Sequence, residues 1–159
     1  MKTLIAYYSL SGNVKEKAEE LAEKLSADLL RIEPVKEIPT DSRNKMIMTG
    51  GMYATFGILP KLKPLGVDLE PYDSIILGTP VWAGKPAVAA SAFVKTCGCP
   101  EKIYGVFTCS GSGNNDKCLD YLEKRLDNLK YAASFADNYN EELAKYNDEV
   151  MADFLGNMQ

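Results

Sequence analysis

Three short segments of this chain hold the residues whose types and spacing suit chemistry. The first, Ser9-Leu10-Ser11-Gly12-Asn13-Val14, sets two hydroxyls, a carboxamide and a glycine between an apolar run and a lysine- and glutamate-rich amphipathic stretch. Backbone N–H groups at the start of a helix lack intrahelical partners and carry partial positive charge. A turn of this composition can therefore hold a phosphate without a salt bridge. Ser9, Ser11 and Asn13 add side-chain donors, and Gly12 lets the backbone come close. Plain helix capping is the simpler reading of the same residues, and this window alone leaves both open.

The second segment, Thr79-Pro80-Val81-Trp82-Ala83-Gly84-Lys85, carries the only tryptophan of the chain between a proline and a glycine. An indole in such a loop suits stacking on a planar ring, with packing onto neighbouring apolar surface as the alternative. The third is Thr108-Cys109-Ser110-Gly111-Ser112-Gly113-Asn114. Gly111 and Gly113 are either turn residues or positions where a ligand edge reaches backbone N–H and C=O groups.

Histidine is absent, which removes Ser-His-Asp and Cys-His catalysis in their usual forms and the commonest metal ligand. The four cysteines, Cys97, Cys99, Cys109 and Cys118, contain no pair of C-x-x-C elements, so neither a zinc ribbon nor a disulfide framework is indicated. They read as small apolar residues. A net charge of -4, with 46% hydrophobic and 25% charged residues, gives no electrostatic reason to expect nucleic acid. No export signal follows Met1, and no apolar run approaches the roughly 20 residues of a membrane span, so a cytoplasmic protein of one domain, residues 1–159, is expected.

Positioning these segments requires strands. Residues 3–8 read as a first strand, 28–33 as a second ended by Pro34, 73–79 as a third that stops at Pro80, 102–108 as a fourth and 130–135 as a fifth. Helices are expected at 13–26, with Ala18, Leu21, Ala22 and Leu25 on one face, at 86–97 with Pro86 in its first turn, at 115–126 and at 140–155. Lys15, Lys17 and the glutamates of the first helix read as a solvated face. The proline-punctuated 35–72 stretch is irregular, with 45–59 a short helix or a pair of turns. Strands alternating with helices give a parallel sheet covered on both faces, and ligands of such sheets lie beyond the carboxyl ends of the strands. The three chemistry-bearing segments leave strands one, three and four, where that rule puts a ligand.

These three loops, in this order, resemble those of the flavodoxin family along nearly the whole chain. The resemblance implies a three-layer α/β sandwich with a five-stranded parallel sheet in the order 2-1-3-4-5 and FMN as cofactor. Ser9, Leu10, Ser11, Gly12, Asn13 and Val14 would then hold the FMN phosphate. Thr79, Pro80, Val81, Trp82, Ala83 and Gly84, with Cys109, Ser110, Gly111 and Gly113, would border the isoalloxazine ring. Two departures stand out. Val14 occupies the place where the family usually has a threonine hydroxyl, which Lys15 would supplement. The loop after strand four has no aromatic to cover the second ring face, for which Tyr53 and Phe56 are the candidates.

Such a protein needs no catalytic acid, base or nucleophile of its own, because the flavin transfers the electrons. A glycine at 84 eases a peptide turn near the ring. The first reading is a soluble electron carrier between redox proteins; its rival is an NAD(P)H-dependent FMN or quinone reductase of the same fold. A receiver domain shares the strand order but needs an aspartate where this chain has Thr79. A flavin-free interaction module remains a third reading. A reactive Cys109 would require a lowered thiol pKa.

Overall fold

Alternating side chains along the strands divide the core into two halves, one on each face of a parallel sheet. The computed structural model describes residues 1–137 and 140–158. The chain runs through β1 (Thr3–Tyr7), α1 (Asn13–Leu25), β2 (Asp28–Arg31), α2 (Arg43–Phe56), β3 (Ser74–Trp82) and β4 (Lys85–Pro86). It continues through α3 (Val88–Thr96), a 3₁₀ turn (Pro100–Lys102), β5 (Ile103–Ser110), α4 (Asp116–Glu123), β6 (Tyr131–Ala136) and α5 (Glu141–Met158). Strands β2, β1, β3, β5 and β6 lie side by side in that order, all parallel, and β4 pairs antiparallel with the end of β3. Without the small β4, this is the expected 2-1-3-4-5 order.

Leu4, Ala6, Ile75 and Leu77 share one half of the core with Phe93 of α3 and Cys118 and Leu122 of α4. Ile5, Tyr7, Ile76 and Phe107 share the other with Ala18 and Leu21 of α1 and Met151 and Phe154 of α5. Residues one apart on a strand point to opposite faces, and crossover helices cover both. The expected α1 face is confirmed at Ala18, Leu21 and Ala22, all buried.

Several expectations are corrected. Strand β3 does not stop at Pro80 but runs on to Trp82, with Pro80 opposite Cys109 of β5. Its β1 partner has already ended at the Tyr7–Gly78 pair, so the missing proline N–H falls where no ladder bond on that side is needed. Pro86 belongs to β4 instead of a helix, and α3 begins at Val88. Trp82-Ala83-Gly84-Lys85 is a two-residue hairpin, with positive φ at both Ala83 (50°) and Gly84 (72°), as a type I′ turn requires. Lys17 is buried, not solvated; its Nζ lies 3.0 Å from Glu20 Oε2 and 5.7 Å from the centroid of the Phe135 ring. The second strand ends at Arg31, before Pro34, which forms an isolated antiparallel bridge with Leu62. The ambiguous 45–59 stretch is the helix α2, started by the Ser42 side chain accepting from the Lys45 N–H.

Candidate functional site

The loop leaving β1 is braced by its own side chain. Ser9 is buried, and its Oγ accepts the Gly12 N–H at 3.1 Å. Gly12 then turns at φ 105°, where an L side chain is strained, and caps α1. The first N–H of the helix with a backbone partner is that of Glu16, bonded to the Gly12 carbonyl at 3.0 Å. The N–H groups of Asn13, Val14 and Lys15 have no partner among the described residues, which is the donor set an anion would use.

A cavity of about 390 Å³ opens at this helix start. Leu10, Ser11, Asn13 and Val14 line it from the first loop, Pro80, Val81 and Trp82 from the end of β3, and Cys109, Ser110 and Gly111 from the end of β5. The structure thus brings residues of all three sequence-selected segments to one concavity at the carboxyl ends of adjacent strands. Ser9, Gly12, Thr79, Ala83, Gly84 and Gly113 do not line it. Thr79 is fully buried and ties the hairpin base, donating to the Pro80 carbonyl at 2.8 Å and accepting the Ala87 N–H at 3.0 Å. Gly113 is buried at φ 74°, where an added Cβ would sit 2.9 Å from Tyr146.

Four further residues line the cavity: Arg43, Met46 and Ile47 from the start of α2, and Asp137 just after β6. Sequence reasoning missed them. The strand-end rule, applied to the last strand as well as the first, would have pointed to Asp137, whose Oδ1 accepts from Asn13 Nδ2 at 2.7 Å. For α2 the available signal was the Gly50-Gly51 pair, since an added Cβ on Gly50 would sit 3.1 Å from Trp82 Cδ2. The helix therefore lies directly on the indole. Tyr53 and Phe56, the expected ring covers, are elsewhere: Tyr53 lines a separate cavity and Phe56 is 74% exposed. Lys15 pairs with Glu19 at 3.6 Å and does not line the site, so the cation that does is Arg43.

Trp82 is half-buried and held edge-on by Tyr8, with ring centroids 5.7 Å apart and planes at 88°. Tyr8 is fixed in turn by donating to Glu37 Oε1 at 2.6 Å. Burial, and then that hydrogen bond, push the phenol well above its ordinary range. Burial likewise pushes the Cys109 thiol up to about 12, with the Asp137 charge adding to the effect. Cys109 is thus a neutral wall of the site and not a nucleophile at physiological pH. On the far side of the third loop, Asn115 is buried and donates to Thr108 Oγ1 at 2.9 Å while accepting from the Ser110 hydroxyl, which sets the course of the chain through Ser110–Gly113.

Unpaired helix-start amides at one end, an indole and a thiol along the walls and an apolar helix alongside define a nucleotide-sized site on a doubly wound parallel sheet. The chain belongs to the flavodoxin family, whose model matches residues 2–150. FMN is the cofactor of that family, in agreement with the expectation drawn from the three loops.

Solved structures agree at the level of fold. A flavoprotein from Lactobacillus acidophilus, solved in complex with FMN, is 24% identical, with 81% of this chain and 88% of that one covered at a TM-score of 0.63. A flavodoxin, WrbA-like protein from Agrobacterium tumefaciens is 22% identical, with 98% of each chain covered and a TM-score of 0.57. An oxidoreductase from Corynebacterium diphtheriae is 17% identical over 99% of this chain and 94% of that one, with a TM-score of 0.60. Among the described residues no helix is long and apolar enough to cross a membrane.

Proposed function

We propose that residues 1–159 form one FMN-binding unit that works as a cytoplasmic one-electron carrier between redox proteins. The observation that carries this reading is that Asn13 and Val14 of the helix start line one cavity together with Trp82. The amides of residues 13–15 would hold the phosphate, Trp82 would lie against the ring, and the Ser110–Gly111 backbone would meet the ring's polar edge. FMN, when bound, supplies the electron transfer; the protein sets its affinity and potential. Val14 is buried in the core with Ala18 and Leu21 and gives no hydroxyl, so the phosphate would rely on backbone donors and on Arg43 of the same lining.

Three features favour a carrier over a reductase. A cavity of about 390 Å³ stands near the lower end of ligand-site sizes, matching one mononucleotide without a second stacked ring. Met46 and Ile47 of α2 add apolar lining to a cavity whose third loop brings no aromatic. Asp137 adds a carboxylate to the lining, which disfavours further negative charge on a bound group and so lowers the potential of the last electron.

Anaerobic reductive titration of the FMN-loaded protein tests the proposal. A carrier shows a long-wavelength absorbance band that peaks when one electron per flavin has been added. Rapid bleaching by NADPH alone, without that band, assigns the reductase instead. A colourless protein that takes up no added FMN removes both and leaves an interaction module.

A further inference from the structure

The β3–β4 hairpin has a second side. Beyond its tip, away from the Trp82 cavity, lies an open depression of about 440 Å³ lined by Lys85, Lys117, Asp120, Tyr121, Lys124 and Arg125, together with Ala83 and Gly84 of the turn itself. Four cations face one carboxylate there, on a chain whose net charge is -4. Asp116 and Glu123 of the same helix lie outside the depression. Among the described residues none of the four cations is in an ion pair.

The cations are held in place without being neutralised. The Arg125 guanidinium stacks over the Tyr121 ring at 3.6 Å from its centroid and donates to the Tyr121 carbonyl at 3.1 Å. Lys85 Nζ lies 5.7 Å from the same centroid and donates to the Ala54 carbonyl at 3.4 Å. The stem of Lys117 passes 3.7 Å from where a Gly84 Cβ would stand, so α4 rests on the hairpin tip. Lys95 extends the charge into the neighbouring depression that shares Tyr121 and Arg125.

We propose that this cationic face is the docking surface for an acidic electron-transfer partner, an iron–sulfur protein with a negatively charged rim. The proposal rests on the carrier reading, in which Trp82, the residue before the Ala83–Gly84 turn, lies against the flavin. Cations continuous with that turn attract an anionic surface and seat the partner on the hairpin that carries Trp82. A broad, open face of exposed side chains fits a protein rim better than a small ligand, which would need enclosure. The partner's reduced cluster would supply one electron, which FMN, when bound, would take up together with a proton from water, and no bond between the proteins would form or break. Complementary charge of this kind raises association rates at low salt and is screened as ionic strength rises.

The test is stopped-flow reduction of the FMN-loaded chain by a reduced, acidic plant-type ferredoxin, from about 20 mM to about 500 mM salt. The expected result is a rate that falls at least tenfold across that range, roughly the scale of electrostatic steering. The triple variant Lys117→Glu, Lys124→Glu, Arg125→Glu loses at least about tenfold at low salt while its FMN affinity, read by flavin fluorescence, is unchanged. Should that variant fail to fold, the glutamine triple variant at the same positions shows the same direction with a smaller loss. A rate independent of salt, or variants indistinguishable from the parent, overturns the proposal. Micromolar NADPH binding abolished by the variants, with ferredoxin reduction unaffected, also overturns it and gives the face to a nucleotide. If the parent chain takes up no FMN, the carrier reading falls by itself. Calorimetric titration of the flavin-free chain with the same ferredoxin then decides docking: salt-sensitive binding lost in the variants supports it, and no binding overturns it.

Discussion

At the scale of single residues, the site depends on a few backbone conformations and on side chains that other side chains aim. Ala83 is the clearest case, a non-glycine residue at φ 50° in a two-residue turn. Left-handed backbone costs an L-residue about 1–2 kcal/mol, and glycine gives back about 0.5–1 kcal/mol in unfolded-chain entropy. Ala83→Gly is therefore expected to raise stability by about 0.5–1 kcal/mol in urea unfolding. The same substitution loosens the turn that follows Trp82, so any change in flavin potential separates a functional use of the strain from an incidental one. Tyr8 illustrates aiming: its ring holds Trp82 edge-on while its hydroxyl is spent on Glu37. Both residues were visible in the sequence as aromatics near strand ends, but their contact joins positions far apart in the chain and so could not be read there.

Among elements, the decisive contact is α2 on the hairpin. A Cβ on Gly50 would come within 3.1 Å of Trp82 Cδ2 and 3.2 Å of Cε3, closer than ordinary packing allows. Gly50→Leu is expected to displace the indole and weaken FMN binding at least tenfold, about 1.4 kcal/mol, by fluorescence titration, with the far-ultraviolet circular dichroism retained. At the β6 edge of the sheet, α5 is pinned to that strand by Asn147. Its buried side chain accepts the Ala136 N–H and donates to the Ala136 carbonyl, both at 2.8 Å. Asn147→Ala strands two buried backbone groups and is expected to cost about 2–3 kcal/mol in denaturant unfolding. The α2 pairing was the least legible part of the sequence, because its apolar residues do not fall on one face: Ile47, Met48, Met52 and Phe56 are exposed while only Gly50 and Ala54 are buried. Periodicity finds a helix when one stripe is buried against a sheet, and α2 meets its neighbours through glycine instead.

For the whole molecule, burial of weak acids makes stability depend on pH. Cys109 and Cys118 are pushed from an ordinary value of 9.0 up to about 12, in both cases chiefly by burial. Their folded-state values are raised, so their contribution is fully present below pH 9.0 and is lost as pH rises from there towards about 12, where the unfolded chain gives up protons that the folded chain keeps. Each thiol is expected to remove about 1.4 kcal/mol of stability per pH unit above that onset, and the raised Tyr8 phenol adds to the fall at higher pH. Urea unfolding at a series of alkaline pH values checks this, and a flat profile between pH 9 and 11 contradicts it. Near neutral pH both thiols stay protonated, so alkylation of the native protein at Cys109 is slow until the fold opens.

What the chain alone determined follows from local rules. Short continuous apolar runs located the parallel strands, the helical stripe at Ala18, Leu21 and Ala22 located α1, and the rule that ligands sit beyond strand carboxyl ends selected the three loops whose residues meet at one cavity. Tertiary structure decided the rest, because it turns on who meets whom across the fold. It let Pro80 continue a strand whose neighbour had already ended, buried Lys17 against Phe135, brought Arg43, Met46, Ile47 and Asp137 to the cavity, and gathered cations from β4, α4 and the residues just after α4 around one turn. Periodicity records which face of an element is apolar; it carries no record of the partner that covers that face.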